Sequence, residues 1–293
     1  MIKLKKGRVI SFPRNIKIEN PVNSLNVVAK DAEAEKVLNV YENHDEYRSI
    51  VDAVNKPLNI IHGNTQLLEL LIEKENITNN YQLDRCMDSI KQNCYKLTKM
   101  INNIIEIQKI VTKKFSLCYN VVNIVEMVEN TVLNVPKVIK DKRIIFDTNL
   151  EEKFILCDVE KIQKSILILL GTAVRFSNDE DIIVKLKGKD SYINIIISFK
   201  NKDSKDLNYI INKMDNLSTE CHDDISIGFH ICKAIIGFHE GSIAVGGTED
   251  EISFNIELPC GDREPIYYLY GNNKITNNEN TIEKIKIEFS DIE

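Results

Sequence analysis

Residues Val51–Gly63 read VDAVNKPLNIIHG, with an apolar residue every three or four positions and one proline in the middle. The same spacing extends through Tyr47, Val51, Val54, Leu58, Ile61, Thr65, Leu68 and Ile72. Alternating steps of four and three put these side chains on one helical stripe, the seam of a coiled coil or bundle. Pro57 removes one backbone hydrogen bond and predicts a kink. The segment Glu73–Asn80, EKENITNN, is polar and turn-like. A second stripe follows at Leu83, Met87, Ile90, Cys94, Leu97, Ile101, Ile104 and Gln108. Two long helices joined by a short polar turn predict an antiparallel hairpin. One hairpin buries two such seams poorly. Two paired hairpins bury them in a four-helix bundle, so a homodimer is the expectation.

Bulk composition narrows the function. The chain has 293 residues, 43% of them hydrophobic, enough for one large or two modest cores. A net charge of -6 argues against a generic nucleic-acid surface. The seven cysteines are odd in number and contain no CxxC pair, which argues against a disulfide framework or a zinc site. The longest apolar run, Ile166–Leu170, falls far short of the ~20 residues of a membrane span. MIKLKKGRVISFPRN has no apolar stretch of signal-peptide length. A cytoplasmic protein is expected, without metal.

Residues 1–43 read as a leader or linker: IKLKKGRVISF suits a strand, Pro13 and Pro21 interrupt it, and AKDAEAEKVLNVYEN begins a helix. The hairpin takes residues 44–114. From 115 to 260 strands and helices alternate. FSLCYNVVNIVEMVENTVLN gives a strand then a helix, RIIFDTNL and KFILCD give strands, and Asp158 suits the N-cap of VEKIQKSILILLGTAVRF. A hairpin turning at Gly188–Asp190, a short helix DLNYIINKMDN, a helix ending at Gly241 as its C′ residue, and the hairpin SIAVGGTEDEISFNIELP complete the region. The fold class is α+β: a helical hairpin followed by an α/β sandwich with helices on one face of a sheet. Residues 261–293 form an extension, with IEKIKIEFSDI read as one strand.

This order of parts resembles the transmitter core of a sensor histidine kinase over about residues 44–260. NKPLNIIHGNTQLLELL, SIKQNCYKLTKMINNIIEIQKI, CDVEKIQKSILILLGTAVRFS and GFHICKAIIGFHEGSIAV carry the resemblance. The tail IEKIKIEFSDI is similar to the end of clostridial kinases of this type. The resemblance implies a dimerisation and phosphotransfer hairpin, an ATPase-type domain, and docking of response-regulator receiver domains on the hairpin.

At each catalytic position the chain departs from the family. Asp52 stands five residues before Pro57, where the phosphoacceptor histidine is expected, and Ala53 replaces the acid that activates it. Asp52 lacks the imidazole nitrogen that accepts a phosphoryl group. Ile168 and Thr172 occupy the places of the two asparagines that hold Mg²⁺. The adenine loop reads FKNKDSKDL, with Asn201 or Asp203 near the place of its aspartate and no glycine. The three lid glycines align with Asp224, Ser226 and Gly228, and Asp223 and Asp224 add negative charge beside a polyanion. No ATP or Mg²⁺ cofactor is expected unless this degenerate site still binds nucleotide.

His62 is the alternative nucleophile, about 15 Å along the helix from Asp52 and roughly 80° around it. His44 and His222 read as surface residues, and His230 and His239 as structural ones. Lys137, Lys140, Lys142 and Arg143 read as an exposed helix end. The leading reading is a pseudokinase, a dimeric scaffold that binds a receiver domain or another histidine kinase around Asp52, Asn55, Lys56 and Asn59. The alternatives are an active kinase or phosphotransferase using His62, and a ligand-binding module built on the emptied nucleotide site.

Overall fold

Apolar residues at helical spacing, short polar punctuation and β-branched runs sort the chain into a hairpin and a layered α/β region. A computed structural model describes residues 44–73, 80–140, 142–178, 180–188, 191–201, 203, 205–215, 224–248, 250–260 and 278–292. The leader 1–43, and the lid residues Cys221, His222 and Asp223, lie outside the described residues. So do Lys189 and Asp190 of the expected turn, and the side chains of His44 and Asp52.

The hairpin is α1 (His44–Glu73) and α2 (Asn80–Val111). α1 runs on through Pro57, which is buried. Asn64 Nδ2 donates to Ser89 Oγ at 3.0 Å and ties the helices together. The seams are not buried lines within one chain. Val54, Ile61 and Leu68 are half-buried, but Leu58, Met87, Ile101 and Ile104 are exposed by 42 to 50%. A two-helix hairpin has too few neighbours to cover two stripes.

The α/β region continues as β1 (Asn120–Asn123), α3 (Ile124–Asn134), β2 (Ile144–Thr148), β3 (Phe154–Cys157), α4 (Val159–Phe176), β4 (Ile182–Gly188), β5 (Tyr192–Lys200), α5 (Asp206–Asp215), α6 (Asp224–Phe238), β6 (Ser242–Gly247) and β7 (Glu251–Pro259). The main sheet has the order β2-β4-β5-β7-β6, and β1 pairs with β3 separately. β2 runs parallel to β4; the other neighbours are antiparallel. Period-two alternation puts Val184, Ile197, Phe254 and Val245 on one rung and Leu186, Ile195, Ile256 and Ile243 on another. Helices α3, α4 and α6 cover this apolar side. Asp158 caps α4, its carboxylate accepting the Lys161 N–H at 3.2 Å. Among the described residues no helix is long and apolar enough to cross a membrane.

Two sequence expectations change. The stretch read as a late strand is a helix, α7 (Asn278–Glu288). Ile285, Ile287 and Phe289 alternate as in a strand, yet the buried residues within the helix are Thr281, Ile285 and Glu288, spaced four and three. The Glu and Lys residues between them favour helix, and α7 packs against α2 and α4 rather than joining the sheet. At the end of α6, Glu240 rather than Gly241 takes the left-handed conformation, φ 59°. The Glu240 and Gly241 N–H groups return to the Gly237 and Ile236 carbonyls at 2.9 and 3.0 Å, a Schellman closure. Gly241 is needed for space, since a Cβ there would lie 2.4 Å from the Glu257 carbonyl oxygen.

These two glycine environments give opposite outcomes in urea unfolding. Gly241→Ala costs roughly 1–3 kcal/mol, because the backbone of β7 has to shift. Gly237→Ala, in open space within α6, adds about 0.5–1 kcal/mol of stability.

Candidate functional site

The site is built where α4 and α6 meet. Ile168 and Thr172 face this junction from α4; Ile168 is buried, and the Thr172 hydroxyl donates to the Ile168 carbonyl at 3.1 Å. From α6, Gly228 comes so near that a Cβ on it would lie 2.9 Å from Ile168 Cγ2. An aliphatic side chain therefore fills the space where the resemblance places a magnesium ligand and the last lid glycine. A second filling comes from beyond α7: a Cβ on Gly171 would touch Ile292 Cδ1 at 3.7 Å. The cavity that remains, bordered by Lys99, Thr172, Asp224, Gly228, Asp291 and Ile292 among others, has a volume of about 20 Å³. That is room for about one water molecule.

The adenine-side candidates lie apart from this cavity. Asn201 Nδ2 donates to the Asp203 carbonyl at 2.7 Å. Asp203 Oδ1 accepts the Lys205 N–H at 3.0 Å, and the Asp203 N–H donates to Asp206 Oδ2 at 3.0 Å. Both residues brace the turn into α5, as short polar side chains do in turns. Ser226 is buried in the first turn of α6 and does not border the cavity. The structure thus brings Ile168, Thr172, Asp224 and Gly228 together and leaves Asn201, Asp203 and Ser226 out.

On the hairpin, Asn55 is half-buried and Lys56, Asn59 and His62 are exposed. His62 Nε2 is 3.2 Å from Gln66 Nε2, one turn on. His239 is structural: Nδ1 donates to the Ile235 carbonyl at 2.8 Å and Nε2 accepts the Asp158 N–H at 3.0 Å. Burial holds its pKa below the ordinary 6.5, in keeping with a neutral ring. Burial likewise pushes the Cys157 thiol up to about 12, which leaves it inert. Lys137 and Lys142 are engaged locally, with Asn134 Oδ1 and with the Ser177 and Asn178 carbonyls.

The strongest electrostatics tie the hairpin to the α/β region. Near the end of α2, Glu106 is 5% exposed and bonds Lys161 at 2.5 Å and Lys164, both on α4. Burial alone would raise its pKa; Lys164 and Lys161 outweigh that and hold it below 4.5. About two turns earlier on α2, Lys99 Nζ donates to the Glu288 carbonyl and to Asp291 Oδ1, each at 2.7 Å. The other Asp291 oxygen pairs with Arg175 of α4. Burial opposes the charge on Lys99, but Glu288 and Asp291 keep its pKa above the ordinary value. Asp291 is held low for the same reason, against its own burial, by Lys99 and Arg175. Gln92 Nε2 adds a bond to the Ser290 carbonyl at 3.0 Å. Sequence reading missed all of these residues. On α2 they occur as ordinary polar positions off the apolar stripe, which read as a solvated face.

No family model matches the chain. The chain is 23% identical over 269 residues to hybrid signal transduction histidine kinase D of Dictyostelium discoideum, covering 84% of this chain and 17% of that protein. It spans only that fraction of the relative's length. Among solved structures, it resembles the Acinetobacter baumannii histidine kinase AdeS with a TM-score of 0.51 and 14% identity, covering 71% of this chain and 97% of that one. It also resembles histidine kinase ThkA, solved in complex with the response regulator TrrA, with a TM-score of 0.52 and 15% identity, covering 78% of this chain and 64% of that one. The fold is that of a histidine kinase transmitter core, hairpin and ATPase-type domain together.

Two measurements test the site's packing and electrostatics. Gly228→Ala forces its methyl against Ile168 and costs roughly 1–3 kcal/mol in urea unfolding. Combining it with Ile168→Ala, which removes the Cγ2 methyl that the new Cβ meets, offsets part of that cost, so the pair is non-additive. Stability followed against pH carries the signature of His239. Its folded pKa is lower than its unfolded one, so the unfolded chain binds the proton more tightly. Its contribution is intact above the unfolded value, declines as pH falls through about 6.5, and stops declining below the folded value. His239→Gln removes that part of the slope.

Proposed function

We propose that this protein, built on the transmitter fold, is a pseudokinase: a dimeric scaffold that binds the receiver domain of a response regulator, or another histidine kinase, without autophosphorylating. One observation carries the reading. The end of the nucleotide cleft that would hold phosphates and Mg²⁺ is packed by Ile168 against Gly228 and by Ile292 beside Gly171. An aliphatic side chain offers no ligand to a hard cation, and Asp224 beside it repels a polyanion. Neither ATP nor Mg²⁺ is a cofactor on this reading.

The hairpin keeps what binding needs. Leu58, Leu67 and Leu70 on α1, with Met87, Ile101 and Ile104 on α2, stand exposed in the single chain. A second hairpin would cover apolar surface of this kind. Lys56 and Asn59 are accessible on α1 next to Pro57 and suit polar contact with a receiver domain. Asp52, on the same helix, leaves a carboxylate where the family transfers phosphate.

Titration calorimetry with ATP, with and without Mg²⁺, tests the first half; no Mg²⁺-dependent binding is expected up to millimolar nucleotide. Tight Mg²⁺-dependent binding, or acid-labile label from ATP that is lost in His62→Ala, would establish an enzyme instead. A binding screen of the purified chain against the receiver domains and kinases of its source tests the second half. At least one partner is expected, weakened tenfold or more by Lys56→Glu with Asn59→Arg; the scaffold reading fails if none binds.

A further inference from the structure

The residues after α7 do more than end a helix. Glu288–Ile292, EFSDI, presents two carboxylates, two engaged carbonyls, a buried Phe289 and a terminal aliphatic group. The carboxylates, the carbonyls and Ile292 meet complementary groups on two elements that otherwise belong to different parts of the fold. From the hairpin, α2 supplies Gln92 and Lys99. From the α/β region, α4 supplies Arg175 to the Asp291 carboxylate and the bare backbone of Gly171 to Ile292. Farther up α7, Lys284 reaches Glu160 at the start of α4 at 3.1 Å. The segment adds no strand to the sheet, and residues 261–277 alone join it along the chain to β7.

We propose that the groove between α2 and α4 is a recognition site for an acidic, apolar-ended peptide segment, occupied in cis by Glu288–Ile292. Its occupation latches the hairpin onto the α/β layer. Ile285 and Phe289 belong to the hydrophobic core and Ile292 packs against it, with charged groups set beside them. Lys99, Arg175, Glu288 and Asp291 add ion pairs that tie the two parts together. Release of the segment uncovers Lys99 and frees the Gln92 side chain on α2. This inference shares Ile292 with the filled cleft but rests on the contacts of Gln92, Lys99 and Arg175. Mg²⁺-dependent ATP binding by the wild-type chain would overturn the pseudokinase reading and leave the latch untouched.

Hydrogen exchange followed by mass spectrometry on the full chain tests it, with Asp291→Asn and Lys99→Met compared with the wild type. The expected result is a rise of at least tenfold in exchange at residues 281–292 and, together with it, at residues 92–107. β5 and β7 keep their protection. Lys91→Met, which removes an exposed pair with Asp88, changes neither. The latch is refuted if residues 281–292 loosen without α2, if neither segment responds, or if the sheet loosens too, since the segment would then be an inseparable part of the core. A labelled synthetic peptide of residues 278–293 provides the second arm. It binds the full-length Asp291→Arg chain, whose own segment is displaced, at least tenfold more tightly than the wild type, and Lys99→Met in that background abolishes the difference. Equal binding to both chains, or none to either, refutes recognition.

Discussion

A single carboxylate joins the three parts of this structure. Asp291 accepts from Lys99 of the hairpin with one oxygen and pairs with Arg175 of α4 with the other. Its side chain is 17% exposed and that of Lys99 is 13%, so screening by solvent is weak and the geometry has to be good for the pair to persist. The neighbouring Glu288 and Gln92 contacts supply the remaining bonds that such a buried cation and its partners require. A second tie, Glu106 to Lys161 and Lys164, fixes the other end of α2. These two ionic stations on one helix tie the hairpin to the α/β layer at two points.

The space between α4 and α6 is filled from three directions. Ile168 seals it from α4, the close approach of Gly228 brings α6 against it, and Ile292 enters from the tail. None of these groups can act on a phosphoryl group. Where the resemblance places the phosphoacceptor histidine and its acid, the chain has Asp52 and Ala53. The substitutions are consistent with one another, because an aliphatic residue at 168 is of use only where no cation has to be held and the space has to be filled. The scaffold proposal draws instead on the hairpin, its exposed apolar side chains and the exposed Lys56 and Asn59 beside Pro57.

Much of this was legible in the sequence, for reasons that depend on distance along the chain. The hairpin and the strands β4, β5 and β7 follow from local periods of 3.6 and 2, and the Asp158 cap from one residue and its immediate followers. Ile168, Thr172 and Gly228 could be placed because they sit in recognisable stretches. α7 was misread because Ile285, Ile287 and Phe289 satisfy a strand period as well as a helical one, and only packing against α2 decides between them. Lys99, Arg175, Glu106 and Asp291 were invisible for a different reason. Their partners lie far away in sequence, and a buried lysine looks the same as a solvated one until its carboxylate is found. Asn201 and Asp203 were placed by analogy with a loop whose glycines are gone, and the shortened loop spends both on its own turn.

The account turns on whether Lys99 and Asp291 act as a pair across the two parts of the fold. A double-mutant cycle on the full chain, Lys99→Met with Asp291→Asn, measures this directly by urea unfolding. A coupling energy above about 1 kcal/mol is predicted, because removing either partner leaves the other buried and uncompensated. Additivity within about 0.5 kcal/mol would contradict it and leave the hairpin held to the α/β layer by something other than this tie.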